Sequence, residues 1–478
     1  PRLDSEKNLS ITEHIPLVGR AAEWEKLTRQ YEGIQQDGII VALTGELGIG
    51  KSRLARDFIA HQRSRGAAAL TARCYSGEGA LAYMPVIDLL RQGIKQAGNE
   101  QWWQGLNPIW LGEISLILPE ILDFLPDLPL PQPTGGLSAQ NRFFEAVCQV
   151  LSVLIEGTIP GIVFIDNLEW ADESTLDLLA YLIRRLHGRA MFLLITWRTE
   201  TSPATAILEQ MSSESARQGY GFHVPLPPLS SAQMYELIDQ TAKESQQLPR
   251  NIIDQLITES EGLPYMLVEY LQAALEGEIN LQSSAEDWPV PAGLRGLLGH
   301  RLASLSGSTS QILQGAAVIG RTFDSELLAS ISGRSEEEII QCIEELLARD
   351  LIREVLDQST LESLIVRYDF KHEQLRTLVL EEASLIRRRL LHRRAAEAIE
   401  EQKTLKAQPS QSGQIAFHYQ QAGSPDKAAH YYFQAGLEDR TIHANADALA
   451  HFQSALALEF PRKSDILVEM GDLYTLKG

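Results

Sequence analysis

The sequence is poor in cysteine, in long apolar runs and in positive charge. Only Cys74, Cys148 and Cys342 occur in 478 residues. An odd number at such wide spacing suits neither a disulfide frame nor a zinc cluster, and they read as reduced core thiols of a cytoplasmic protein. No stretch approaches the ~20 apolar residues of a membrane span, and the N-terminus lacks a secretory-leader pattern. Lysine and arginine total 42 against 63 aspartate and glutamate, a net charge of −21. That balance argues against nucleic acid as the main partner, because phosphate backbones are held by clustered cations. The one basic cluster, IRRRLLHRR at Ile386–Arg394, reads as a solvated helix face.

What is present is apolar material enough for several cores, 44% of the residues, in a chain too long for one ordinary domain. Five stretches read as strands: Ile39–Thr44, Ala67–Cys74, Ile162–Asp166, Phe192–Trp197 and Gly221–Leu226. They alternate with helical segments, which implies a mostly parallel α/β sheet. Leu118–Gly136 is proline-rich and reads as an irregular insertion before a helix beginning near Ala139. After Leu229 the strand signal gives way to amphipathic helices, and Glu276–Pro291 reads as a linker. Three further helices and the pair LIREVL and SLIVRYDF suggest a winged helix. In the tail, Ala428, Tyr432 and Ala435 repeat the spacing of Ala448, Phe452 and Ala455. Small residues beside an aromatic let paired helices approach closely, as in a tetratricopeptide-like solenoid. The expected architecture is multidomain α/β + α. It has a flexible lead-in (1–16), a P-loop parallel α/β core (17–229), a helical lid (230–288), a winged helix (289–372), and a helical linker with the start of an α-solenoid (373–478).

The stretch GELGIGKS fits G-x-x-x-x-G-K-[ST], with Gly45, Gly50, Lys51 and Ser52 at the fixed positions. Glycines let backbone amides turn inward around a phosphate, Lys51 adds a cation, and the Ser52 hydroxyl can ligate Mg²⁺. A strand precedes the loop and a helix follows it, which adds the helix N-terminus to the anion site. The loop residues Gly45, Gly48, Ile49, Gly50, Lys51, Ser52 and Arg53 are therefore assigned to nucleotide. GIVFIDNLEWADEST delivers Asp166 at the end of a buried strand, the carboxylate that a Mg²⁺ site opposite Ser52 requires. FLLITWRTE ends a second buried strand at Arg198, whose charge would lie beside the γ-phosphate if the two strands are neighbours. A surface ion pair of Arg198 with Glu200 is the alternative.

LVGRAAEWEKL, the phosphate loop, FIDNLEWAD, LLITWRTE and EGLPYMLVEYL stand in the order found in STAND ATPases. From about Leu17 to its end the chain resembles these signal-transduction relatives of the AAA+ proteins, and most of all the bacterial branch found in large transcriptional regulators. The resemblance implies that Val18, Gly19 and Arg20 pack around adenine, and that Gly262 and Pro264 of the lid cover the base. It implies that Arg198 senses the γ-phosphate and that His372, in YDFKHEQL, contacts ADP in the resting state. On sequence alone Pro264 would simply start a helix, and His372 would be a packed or capping residue.

Many relatives carry a second acid after Asp166, where this chain has Asn167, which cannot act as a general base. Glu169 and Asp172 lie nearby and could orient a water instead. Because phosphoryl transfer depends mainly on positioning and charge neutralisation, slow hydrolysis is expected. The catalytic set is Lys51, Asp166, Asn167, Glu169 and Arg198, with ATP or ADP and Mg²⁺ as cofactors. The expectation is a switch held closed with ADP, opening or self-associating with ATP and a signal read by the helical repeats. A remodelling motor and a non-hydrolysing scaffold are the competing classes. Direct nucleic-acid or membrane binding is not expected. The chain starts at Pro1 and stops inside a repeat, as expected of a piece of a longer protein with its output domain elsewhere.

Overall fold

The computed structural model describes residues 17–75, 81–98, 102–129, 131, 137–199, 202–241, 249–275, 299, 302, 305–349, 351–357, 365–371, 373–406 and 411–477. A five-stranded sheet forms the core: β1 (Ile39–Gly45), β2 (Ala69–Arg73), β3 (Gly161–Asp166), β4 (Met191–Arg198) and β5 (Gly221–Pro225), in the order β2-β3-β4-β1-β5. Its four strand pairings are all parallel. Helices cover both faces: α1 (Ala21–Glu32), α2 (Lys51–Ser64), α3 (Met84–Ala97), α4 (Pro108–Ile114), α5 (Ile121–Phe124), α6 (Leu137–Leu154), α7 (Glu173–Arg184) and α8 (Pro203–Arg217). All six residues of β3 are buried, as are the first seven of β4. This is why both strands read as continuous apolar runs rather than alternating ones. The proline-rich insertion is less irregular than its composition suggests: it contains α5, and α6 begins at Leu137.

Three helices follow as a lid: α9 (Ser231–Thr241), α10 (Arg250–Glu259) and α11 (Pro264–Leu275). The expected linker lies outside the described residues. Next come α12 (Gly307–Ile319), β6 (Thr322–Asp324), α13 (Ser325–Ser332), α14 (Glu336–Ala348), β7 (Ile352–Asp357) and β8 (Ile365–Phe370). The β-wing has three antiparallel strands, β6-β8-β7. Its three-residue β6 is too short to show a sequence period.

The C-terminal helices are α15 (Glu373–Glu382), α16 (Leu385–Lys406), α17 (Ser412–Gln421), α18 (Pro425–Thr441), α19 (Asn445–Ala457) and α20 (Lys463–Lys477). All six repeat positions, from Ala428 to Ala455, are buried. A Cβ on Gly436 would come within 2.5 Å of the Phe452 ring, so the α18–α19 contact depends on that glycine. The turn between these helices also reaches the core. Tyr83 Oη and Gln140 Nε2 donate to the His443 carbonyl at 3.1 and 2.9 Å, and Ala444 is fully buried beside the sheet helices. Asp447 accepts from the Ser174 amide at 3.0 Å, adding a carboxylate to the N-terminus of α7. All three cysteines are free and buried. No helix among the described residues is long and apolar enough to cross a membrane.

The basic cluster is a solvated face only in part. Ile386 is 82% exposed, yet Arg394 donates back to the Ile331 carbonyl at 3.1 Å and Leu391 is buried. His392 and His418 share a 3.0 Å Nδ1···Nδ1 contact. Burial, with the Arg376 and Arg388 charges, lowers His392 to about 4; burial, with His392 and Arg376, lowers His418 to about 3. Both rings are neutral when folded, whereas the unfolded chain takes up protons below about pH 6.5. Stability is therefore fully present above that pH and falls as pH drops toward 4. We expect the thermal melt to shift downward between pH 7 and pH 5, and His418→Leu to flatten that dependence. An unchanged pH slope in the variant counts against this assignment.

Candidate nucleotide site

The loop between β1 and α2 is a backbone cradle. Gly48 and Gly50 hold φ of 78° and 101°, left-handed values that other residues adopt only at a cost. Gly48 also faces α11: a Cβ there would stand 3.0 Å from Tyr265 Cβ. Gly50 is the N-cap of the fourteen-residue α2, so the first turn's amides point toward the loop. Lys51, 6% exposed, donates Nζ to the Gly45 and Glu46 carbonyls at 2.8 and 2.9 Å. Arg53 turns along the helix to pair with Asp57 of α2 at 2.7 Å.

Asp166 is 1% exposed and forms the hub. Its Oδ1 accepts from Ser52 Oγ at 2.7 Å and from Thr196 Oγ1 at 2.6 Å. Its Oδ2 accepts from Arg73 Nε at 2.9 Å and Nη2 at 2.6 Å. Burial by itself would raise this carboxyl, but the Arg73 charge and the bonds from Thr196, Ser52 and Arg73 outweigh it and hold it below the usual range. The β2–β3 register sets Arg73 opposite Asp166, which is why the two meet. Sequence reasoning found Ser52 and Asp166 but missed Arg73 and Thr196. The available signal was a polar residue near the C-terminal end of an otherwise buried strand.

β3 and β4 are neighbours, as the reading of Arg198 required, and the register places Arg198 opposite Gly45 of the loop. The partner of Arg198 is Glu169, with Nε and Oε1 2.9 Å apart and both side chains largely buried. The alternative pairing with Glu200 lies outside the described residues. Burial pushes the Glu169 carboxyl up, against the pull of its own backbone N–H, Arg198 and Lys51. A raised carboxyl beside a phosphate loop suits general-base work. Asn167 contributes its backbone: it sits at φ 61°, and its N–H donates to Thr196 Oγ1 at 2.9 Å. Asp172 is used otherwise than as a water-orienting acid. It caps α7, accepting from the Thr175 amide at 2.7 Å and its hydroxyl at 2.6 Å.

The lid closes on this loop. Tyr265 N donates to the Gly48 carbonyl at 3.3 Å, and Pro264 is the first residue of α11, where a missing N–H costs least. The Gly262 carbonyl accepts from the Leu229 amide at 2.8 Å. Arg20, 4% exposed, ties the segment after β5 to the loop by donating to Pro227 O at 2.8 Å and Ile49 O at 3.0 Å. Val18 packs into the lid's apolar cluster, and the Gly19 carbonyl accepts from Gln233 Nε2 at 3.3 Å. Thus Val18, Gly19, Arg20, Gly262 and Pro264 converge on one hinge beside the phosphate loop. His372 lies outside the described residues.

The cradle, the poised Lys51 and the Ser52–Asp166 pair fit a nucleoside phosphate with a divalent cation. Among the described residues no cluster of three or more His, Cys, Asp or Glu side chains could hold a metal by itself. Sheet, loop and lid together form a parallel α/β core with a phosphate-loop pattern at the end of β1 and a helical lid, followed by a helical region with tetratricopeptide-like spacing.

Residues 16–195 match the family model described as AAA ATPase domain. The chain is 22% identical over 437 residues to the uncharacterized protein R02095 of Rhizobium meliloti (strain 1021), covering 86% of this chain and 40% of that protein. The chain therefore spans about two fifths of that relative's length. Among solved structures it is similar to a STAND protein with a tetratricopeptide repeat sensor, PH0952 from Pyrococcus horikoshii. That match has 13% identity and a TM-score of 0.43, and covers 96% of this chain and 67% of the other. It is also similar to Cdc6p from Pyrobaculum aerophilum, with 12% identity and a TM-score of 0.35, covering 83% and 97%. Both TM-scores are below 0.5, so the functional reading rests on the site and the family match.

Proposed function

We propose that this chain is a nucleotide-operated switch that binds ADP or ATP with Mg²⁺ and hydrolyses ATP slowly. The observation that carries the reading is the buried ion pair between Glu169 and Arg198 beside the phosphate loop. One is the best-placed base and the other the strand-end cation, and in this packing each neutralises the other. A site so arranged holds nucleotide more readily than it turns it over. Asn167, in place of a second acid, points the same way.

Gly45, Gly48, Ile49, Gly50, Lys51 and Ser52 would hold the phosphates, with Ser52 and Asp166 toward the cation. Val18, Gly19, Arg20, Gly262 and Pro264 would line the base, and His372 would face ADP. Bound nucleotide supplies the transferable phosphoryl group, and Mg²⁺ neutralises its charge. Lys51 leaves two carbonyls to meet a phosphate. For turnover Arg198 would have to exchange Glu169 for a phosphate oxygen, freeing Glu169 to orient a water, and the cost of breaking this buried pair would keep that step slow. Contacts of Lys51 and Arg198 thus differ between the di- and triphosphate states, and such differences bias a closed packing against an open one. The solenoid, docked on the core through His443 and Asp447, is where a signal would act. Output would be transcriptional, through a domain outside these residues.

The test identifies the nucleotide that copurifies, then measures turnover and size in ADP and in ATP. Bound ADP, slow phosphate release and ATP-dependent self-association are expected. Fast turnover by a preassembled ring would instead show a motor. Binding without any phosphate release would show a scaffold, the class that Asn167 favours next.

A further inference from the structure

Asp166 carries more donors than a cation-binding carboxylate leaves room for. Ser52 and Thr196 share Oδ1, and Arg73 takes Oδ2 through both Nε and Nη2. These bonds fill the roughly four lone-pair positions that a carboxylate offers. The two oxygens differ in what holds them. Oδ1 is fixed from α2, which follows the loop, and from β4, the sheet neighbour of β1. Oδ2 is held from β2, at the edge of the sheet, by one guanidinium.

We propose that Arg73 is a positioning residue that occupies the second oxygen of Asp166 and sets how readily a divalent cation is admitted beside Ser52. The proposal rests on the nucleotide reading of the loop. A guanidinium and a divalent cation seek the same oxygen, and the buried pair is weakly screened by salt. Cation entry must therefore displace a bidentate, charge-assisted pair. With Oδ1 anchored separately, removing Arg73 leaves the carboxylate in place and its second oxygen open.

The surroundings of Arg73 also reach the wing. Arg321 stands over the ring of Tyr75, two residues beyond Arg73, at 5.4 Å. Asp369 of β8, paired with Arg321 at 2.9 Å and Arg353 at 2.6 Å, adds its charge to the field at Arg73. The residue that guards Asp166 thus faces the helix–wing unit as well as the loop.

The test is a Mg²⁺ titration of the full chain with a fluorescent ADP, reading the Mg²⁺ midpoint at which ADP binding tightens. Direct Mn²⁺ binding by electron paramagnetic resonance provides a second readout that is independent of turnover. Arg73→Gln should lower the midpoint about tenfold, the change equivalent to losing one charge-assisted contact. Arg73→Lys, which keeps the charge but not the fork, should fall between the two. A midpoint that is unchanged or raised in Arg73→Gln overturns the proposal. If that variant fails to fold, Arg73→Lys decides alone: a lowered midpoint supports the proposal and an unchanged one overturns it. Failure of the unsubstituted protein to bind ADP at any Mg²⁺ concentration would instead overturn the nucleotide reading, and this role with it.

Discussion

Replacing Lys51 by alanine is expected to remove most of the stabilisation that ADP and Mg²⁺ confer on the unsubstituted protein. Saturating ligand at a hundred times its dissociation constant adds about 2.7 kcal/mol to a folded state that alone binds it. Lys51 supplies the buried cation of the loop, positioned by two carbonyls 2.8 and 2.9 Å away and by the first turn of α2. Without it the phosphates meet the amides alone, and a loss of two decades in affinity removes nearly all of the shift. The readout is the difference between melts with and without ligand, in which any change of intrinsic stability common to both cancels. A Lys51→Ala protein that still shifts by the parent's amount would remove the loop from the function.

The second large effect is expected without nucleotide. Asp166→Ala takes the partner from Arg73, whose side chain is 20% exposed, and leaves the Ser52 and Thr196 hydroxyls without their acceptor. Breaking a buried ion pair from one side costs about 3–5 kcal/mol, because the remaining charge stays desolvated. The chain has several cores, so the transition that reports on the sheet is the one to follow in denaturant. Adding Arg73→Met should recover part of the loss, since the stranded guanidinium goes too. A single variant within about 1 kcal/mol of the parent would mean that the pair is solvated and mobile.

Both predictions concern residues that differ in how legible they were. Lys51, Ser52 and Asp166 announce themselves through local pattern, a glycine-rich loop between strand and helix, and an acid ending an apolar run. Arg73 does not, because its role depends on β2 lying beside β3 in one register. Arg198 was legible as a strand-end cation, but its pairing with Glu169, in the turn after a different strand, was not. Asp172 read as a spare acid near the site and is a buried helix cap. The proline count of the insertion hid α5, because composition reports where helices break more clearly than where a short one survives between breaks.

Apolar periodicity and the spacing of a few polar residues are local properties, so the sequence by itself determined the parallel α/β core, the glycine-rich loop, the carboxylate that ends β3 and the helical repeat. The tertiary structure decided which side chains share a charge: Arg73 with Asp166, Arg198 with Glu169, and Asp447 with the first turn of α7. It also decided that Tyr265 joins the lid to the loop and that Arg20 joins the loop to the segment after β5. These pairings follow from strand order and from helices meeting across hundreds of residues. Many partners of opposite charge were compatible with the same sequence pattern, and only packing selects among them.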